Sequence, residues 1–227
     1  MTPLASYGNS GTSSNTNVST SVSLSITDEN GNEIVVQGIE IIIPRDPNLI
    51  VPPMILQNVT SINSTPHSQL FYLHYVNITT ILSISVHLEL QPLNTSLAYL
   101  LIYKFDQIPQ LNGSIDGWTI FCPSNLSNDN IYTYFLNNQL TKNHRSLVFG
   151  LRELNSSEST INPPITNQKY NFTSNYQLRI YTSGCYYLDE TNQWNDQGLI
   201  VGSQTNHNQT QCYSQKANEF VRNIEQY

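Results

Sequence analysis

Charge is what this sequence has least of. Asp, Glu, Lys and Arg make up 11% of its 227 residues, under half of the roughly one quarter usual in soluble domains. Nine Lys and Arg never cluster, and the net charge is −7. A nucleic-acid-binding surface needs a basic patch, so that class is excluded. Long apolar runs are missing too. "IEIIIP" and "LAYLLIY" stop well short of the roughly 18 residues of a membrane-spanning helix. The residues after Met1, TPLASYGNSG, lack the apolar core of a secretory signal, and the chain reads as a soluble segment of a longer protein. Cysteine is scarce, with three residues: Cys122, Cys185 and Cys212. No second Cys or His lies two to four residues from any of them, so no zinc site is spelled out. Three cysteines allow one disulfide and one leftover thiol, with the pairing open.

Asparagine takes the place of charge, with 28 residues, alongside many Ser and Thr. Ten N-x-S/T acceptors result, at Asn17, Asn58, Asn63, Asn77, Asn94, Asn112, Asn125, Asn155, Asn171 and Asn208. Composition alone yields several of these. The excess points to an extracellular chain.

Residues 1–20 are polar and aperiodic, a linker or disordered lead-in. From residue 21 the pattern is that of strands. "SVSLSI" alternates strictly, and Asn30-Gly31 is a hairpin turn signal before "EIVVQGIEIIIP". Strands are expected at 70–78, 81–90, 96–105, 146–154, 176–188 and 198–202, with shorter ones at "GWTIF", "IYTYFLN", "TQCYS" and "NEFVRNIEQY". In 81–90, Leu82, Ile84, Val86 and Leu88 oppose Ser83, Ser85, His87 and Glu89, which puts His87 on the polar side. The stretch 96–105 is apolar on both faces and reads as a central strand. Helical turns are expected only near 137–147 and 51–61. About eleven short strands in one domain over 21–227 make an all-β, antiparallel β-sandwich with few short helices.

Catalytic motifs are absent. There is no G-x-S-x-G turn and no phosphate-binding glycine loop. The five histidines, His67, His74, His87, His144 and His207, share no metal-ligand spacing and read as surface or satisfied side chains. No metal or cofactor is implied. Exposed aromatics among the 14 Tyr could form a sugar platform, but most lie in strand segments, where Tyr is favoured anyway.

Residues 176–220 carry an ordered series: Cys185, Tyr186-Tyr187, Trp194, Gly198, Cys212 and Phe220. The series resembles the GPCR proteolysis site at the end of a GAIN domain, closest to the polycystin-1-like branch, with the motif over about 185–220. "VHLELQPLNTSLAYLLIYKF" is also similar to the sandwich of that branch, and residues 21–175 match more loosely. In that family a Cys-x-Cys-x-His-Leu-Thr-x-Phe site cuts itself before the Thr. The His takes the hydroxyl proton, the oxygen attacks the preceding carbonyl, and water opens the ester. Counting from Cys212, Ser214 stands for the second Cys, Lys216 for the His, Ala217 for the Leu and Asn218 for the Thr. Leu199 stands where many members carry another Cys.

The resemblance implies a Cys185–Cys212 disulfide, a free and partly buried Cys122, and Phe220 with Val221 anchoring a last strand. It implies no self-cleavage, because Asn218 has no hydroxyl and Lys216 is a protonated ammonium near neutral pH. The chain is then not an enzyme. It is an extracellular, membrane-proximal scaffold holding a buried C-terminal strand at the tethered-agonist position. Its partners are the rest of its own membrane protein, with a transmembrane region after Tyr227, and a polycystin-2-like channel subunit at the cell surface or cilium. A mainly helical subdomain, usual before the sandwich in adhesion receptors, has no counterpart here. Two other readings stand beside this one. The first is a secreted or cell-surface glycan- or protein-binding sandwich. The second is an active autoprotease, for which Ser214 is the only aliphatic hydroxyl within four positions upstream of Asn218.

Overall fold

The computed structural model describes residues 20–22, 29–30, 38–45, 51–61, 70–78, 82–110, 114–154, 172–189, 191–214 and 224–226. The strands, in chain order, are β1 (Thr20–Val22), β2 (Glu40–Pro44), β3 (Ile55–Gln57), β4 (Tyr72–Asn77), β5 (Ser85–Pro92), β6 (Ala98–Phe105), β7 (Gly117–Phe121) and β8 (Tyr132–Leu136). A one-turn helix, α1 (Asn138–Thr141), follows. Then come β9 (Ser146–Leu154), β10 (Tyr176–Ser183), β11 (Cys185–Leu188), β12 (Trp194–Asn195), β13 (Leu199–Val201), β14 (Gln209–Ser214) and β15 (Ile224–Gln226). Every pairing between these strands is antiparallel.

Two four-stranded sheets, ordered β3-β10-β5-β8 and β4-β9-β6-β7, face each other and form the sandwich. Alternation explains why. Val86, Leu88 and Leu90 leave one side of β5, and Tyr99, Leu101 and Tyr103 leave one side of β6; all six are buried in one cluster. Aromatic pairs fill it, with Phe121 stacked on Tyr132 at 5.1 Å and Tyr99 edge-on to both Tyr132 and Tyr176. Strand β6 pairs with β9 on one side and β7 on the other. That central place is what its two apolar faces call for.

A third sheet, β13-β14-β2, lies over the outer side of β3-β10-β5-β8. Ile43, Leu199, Val201 and Cys212 pack there with Cys185 and Tyr187 in a second cluster that reaches Phe135 of β8. Asn137 caps α1 by accepting from the Leu140 amide at 3.0 Å. The next residue, Asn138, is buried and acts as a tie between layers. Its Nδ2 donates to Leu199 O at 3.0 Å, and its Oδ1 accepts from Val201 N at 2.9 Å. One side chain thus stands in for a strand neighbour of β13.

The expected 176–188 strand is two strands with a break at Gly184. The Tyr186 ring folds back over this position, so that a Cβ there would sit 1.9 Å from Tyr186 Oη. Tyr186 Oη donates to Ser83 O. The break lets one chain segment serve two sheets, β10 in the sandwich and β11 in a sheet ordered β1-β15-β11-β12. The helical turn expected near 137–147 is α1, and the one near 51–61 is reduced to a 3-10 turn at Val59–Ser61 after β3.

Candidate functional site

Two places gather the sequence-predicted residues. The first is the disulfide region. Cys185 at the start of β11 is bonded to Cys212 of β14, with Cα atoms 5.9 Å apart, and both are buried. Cys122 is free and half-buried. Trp194 is half-buried and packs against the sandwich core. Gly198 takes φ +80°, the left-handed region that glycine occupies without strain, in the turn leading to β13. Strand β13 then lies against β14 so that Leu199 is opposite Ser214 and Val201 opposite Cys212. The last strand, β15, is interior to its sheet, paired with β1 on one side and β11 on the other. Lys216, Ala217, Asn218, Phe220 and Val221 lie outside the described residues.

A disulfide of this kind persists in oxidising, extracellular-type surroundings. The sequons agree with that setting. Asn58, Asn77, Asn94, Asn125 and Asn208 are all exposed, whereas Asn138, which is not in a sequon, is 2% exposed. Asn17, Asn63, Asn112, Asn155 and Asn171 lie outside the described residues.

The second place carries no sequence motif. The outer side of β5 and β10 is polar, yet it is buried beneath the third sheet. Ser85, His87, Glu89, Tyr181 and Ser183 are each under a tenth exposed. Strand register puts Glu89 opposite Arg179 and His87 opposite Tyr181. Arg179 Nε donates to Glu89 Oε2 at 2.9 Å, and Arg179 Nη2 makes a second bond to the same oxygen. Tyr181 Oη donates to Oε1 at 2.9 Å, and His207 Nδ1 lies 3.3 Å from it. Burial by itself would raise the Glu89 carboxyl. The bonds from Arg179 and Tyr181, the Arg179 charge and His207 outweigh it and hold the carboxyl below its ordinary value. Burial likewise pushes the Tyr181 phenol up, helped by the Glu89 charge. Arg45, at the end of β2, lays its guanidinium 5.7 Å from the Tyr181 ring centre.

His87 sits beside this network. Its ring is stacked on Tyr181 at 4.7 Å and leans on Phe135 at 4.9 Å. Its Nε2 lies 3.0 Å from Ser85 Oγ and 2.9 Å from Ser183 Oγ. Burial lowers its pKa to about 4, so the ring is neutral at physiological pH. Above it a cleft of about 410 Å3 opens, walled on the far side by the turn that joins β13 to β14.

Alternation correctly assigned His87 to the polar side of its strand. It did not show that this side is covered. A usable signal was the opposition of Ser85-His87-Glu89 to Arg179-Tyr181-Ser183 along two neighbouring strands, with charges of opposite sign in register. Of the other histidines, His74 lies 2.8 Å from Tyr176 Oη with its pKa lowered to about 4 by burial, and His144 pairs with Asp106 at 2.8 Å. Both are satisfied side chains. His67 lies outside the described residues. Among the described residues no group of His, Cys, Asp and Glu is placed to hold a metal ion, and no helix is long and apolar enough to cross a membrane. Compared with known protein families, with curated proteins and with solved structures, the chain matches none.

Proposed function

We propose that this chain is a GAIN-type β-sandwich that does not cut itself and works as an extracellular scaffold, holding its last strand inside a sheet next to the membrane part of a polycystin-1-like protein. The observation that supports this most is the pairing of Leu199 with Ser214. These are the two positions that stand for the family's second pair of cysteines. Directly opposed residues in an antiparallel pair have Cα atoms about 4.5–5.5 Å apart, within the roughly 4.4–6.8 Å span of a disulfide. A matched loss of both cysteines therefore fits one missing bridge next to the surviving Cys185–Cys212 bond. The interior place of β15, paired on both sides, agrees with a held terminal strand.

The chemistry of Lys216-Ala217-Asn218 provides neither a hydroxyl nucleophile nor a neutral base, so no ester forms. The test is secretion of the chain followed by enzymatic deglycosylation and intact mass. One species at 25.7 kDa is expected, less two hydrogens for the disulfide. A fragment beginning at Asn218 would sink the non-cleaving assignment. The triple variant Lys216→His, Ala217→Leu, Asn218→Thr is expected to cut itself between positions 217 and 218. If it folds with the native disulfide and stays whole, the GAIN reading fails.

A further inference from the structure

The cleft above His87 has no part in that scaffold role. Its volume of about 410 Å3 lies within the roughly 300–1,000 Å3 of small-molecule sites. Its chemistry narrows the ligand. Glu89 lines the cleft, but its two oxygens already face Arg179, Tyr181 and His207, so no free carboxylate awaits a cation. Arg45 and Arg179 are not among the lining residues, so no cation awaits an anion.

What remains on the cleft wall is the His87 ring. Its Nε2 faces the Ser85 hydroxyl at 3.0 Å and the Ser183 hydroxyl at 2.9 Å. That leaves the other ring nitrogen, Nδ1, for a ligand, as donor or acceptor according to the tautomer. His87 is 4% exposed and lines the cleft, and among the described residues its Nδ1 has no hydrogen-bond partner. A hydroxyl, which both donates and accepts, suits that nitrogen in either tautomer. The rim adds the uncharged side chains of Thr133, Ser203, Gln204 and Gln209. The half-buried ring of Phe135 adds an apolar surface. A deep ring nitrogen, uncharged rim donors and acceptors, and one aromatic ring are together what a neutral sugar requires.

We propose that the cleft binds a neutral saccharide, with His87 Nδ1 hydrogen-bonded to one of its hydroxyls and Phe135 meeting its C–H face. Two sources supply such a ligand. Asn208 is an exposed sequon in the turn between the lining residues Asn206 and Gln209, so the chain's own N-glycan starts at the rim. A glycan of another molecule is the other source.

Calorimetry and saturation-transfer NMR on the secreted protein decide, with N,N′-diacetylchitobiose and mannotriose as probes. Both are titrated into the glycosylated protein, the deglycosylated protein and Asn208→Gln. Binding to all three forms points to an external glycan. Binding only to the last two points to the chain's own glycan as occupant, and either result upholds the site. His87→Phe keeps the ring stack and should weaken binding about tenfold, the effect of one hydrogen bond. Thr133→Val, on the exposed rim, should weaken it severalfold with the fold intact. A glucuronic-acid disaccharide should bind at least about tenfold more weakly than chitobiose, since a carboxylate finds no cation there. No saturable binding of either probe to Asn208→Gln overturns the assignment and makes the cleft a water pocket. Equal affinity in both His87→Phe and Thr133→Val overturns it as well. A failed titration leaves the cleavage result untouched, and the reverse holds too.

Discussion

The two sides of strand β5 are both buried and chemically opposite. Val86, Leu88 and Leu90 enter an apolar core rich in Tyr and Phe, while Ser85, His87 and Glu89 enter a layer of paired polar groups. The apolar side is stabilised by area, about 1.5–3 kcal/mol for each large side chain buried. The polar side gains little from burial itself. It is held together by geometry, because each charged or hydrogen-bonding group must find a partner once water is gone. Apolar packing tolerates approximate shape, whereas the Glu89 network tolerates no missing member.

Removing one partner is therefore expected to cost most. Glu89→Ala strands the 13%-exposed Arg179 guanidinium and should destabilise the fold by about 3–5 kcal/mol, read from urea unfolding. Glu89→Met combined with Arg179→Leu should recover most of that loss, since a buried pair replaced by apolar groups is often near neutral. Leu88→Ala, one residue away on the other side, should cost about 2–5 kcal/mol through cavity formation. No partner substitution should recover it. A cost below about 1 kcal/mol for Glu89→Ala would mean that the polar side is wet, and the contrast between the two sides would collapse.

Next in size is the disulfide. Opening a loop of sequence separation 27 by Cys185→Ser with Cys212→Ser should cost about 3–4 kcal/mol in the chain-entropy account. The comparison is intact protein against the double variant in one thermal or urea series. Asn138→Ala should cost about 1–3 kcal/mol, because Leu199 O and Val201 N lose their partner between layers. The third sheet should loosen first, which hydrogen exchange at β13 can register.

The polar side should also show itself in pH dependence. His87 is neutral in the folded chain down to about pH 4, and its unfolded form takes a proton from about 6.5. Between those values the unfolded state binds more protons, so stability rises with pH and is lost as pH falls. His74 behaves in the same way for the same reason. The Glu89 carboxyl, held below its ordinary value, adds a loss at lower pH, where it is protonated in the unfolded chain first. His87→Phe should flatten the slope between pH 4 and 6.5 by up to about 1.4 kcal/mol per pH unit, one proton's share. An unchanged slope would place His87 in water.

Much of the sandwich was legible because strand signals are local. Alternation in 81–90 and two apolar faces in 96–105 depend on neighbours one and two residues away. The Cys185–Cys212 bond followed from the resemblance of the motif region. The polar layer was not legible in the same way. Glu89, Arg179, His207 and Arg45 come from β5, β10, the β13–β14 turn and the end of β2. Their partnerships span 90 and 118 residues for Arg179 and His207, and no spacing rule reaches that far. The break at Gly184 was also missed, because the two halves of 176–188 are equally good strand sequence.

Composition and alternation by themselves determined that this chain is all-β, poor in charge, without a run of basic residues, and supplied with acceptor sequons for glycans. These are sums and short-range patterns, which the chain carries before it folds. Only the tertiary structure decided that the polar side of β5 faces another sheet instead of solvent. Which surface covers a strand depends on segments more than a hundred residues away. Once that sheet is in place, His87, Glu89 and Arg179 leave the solvent and become a hydrogen-bonded layer at the floor of a cleft.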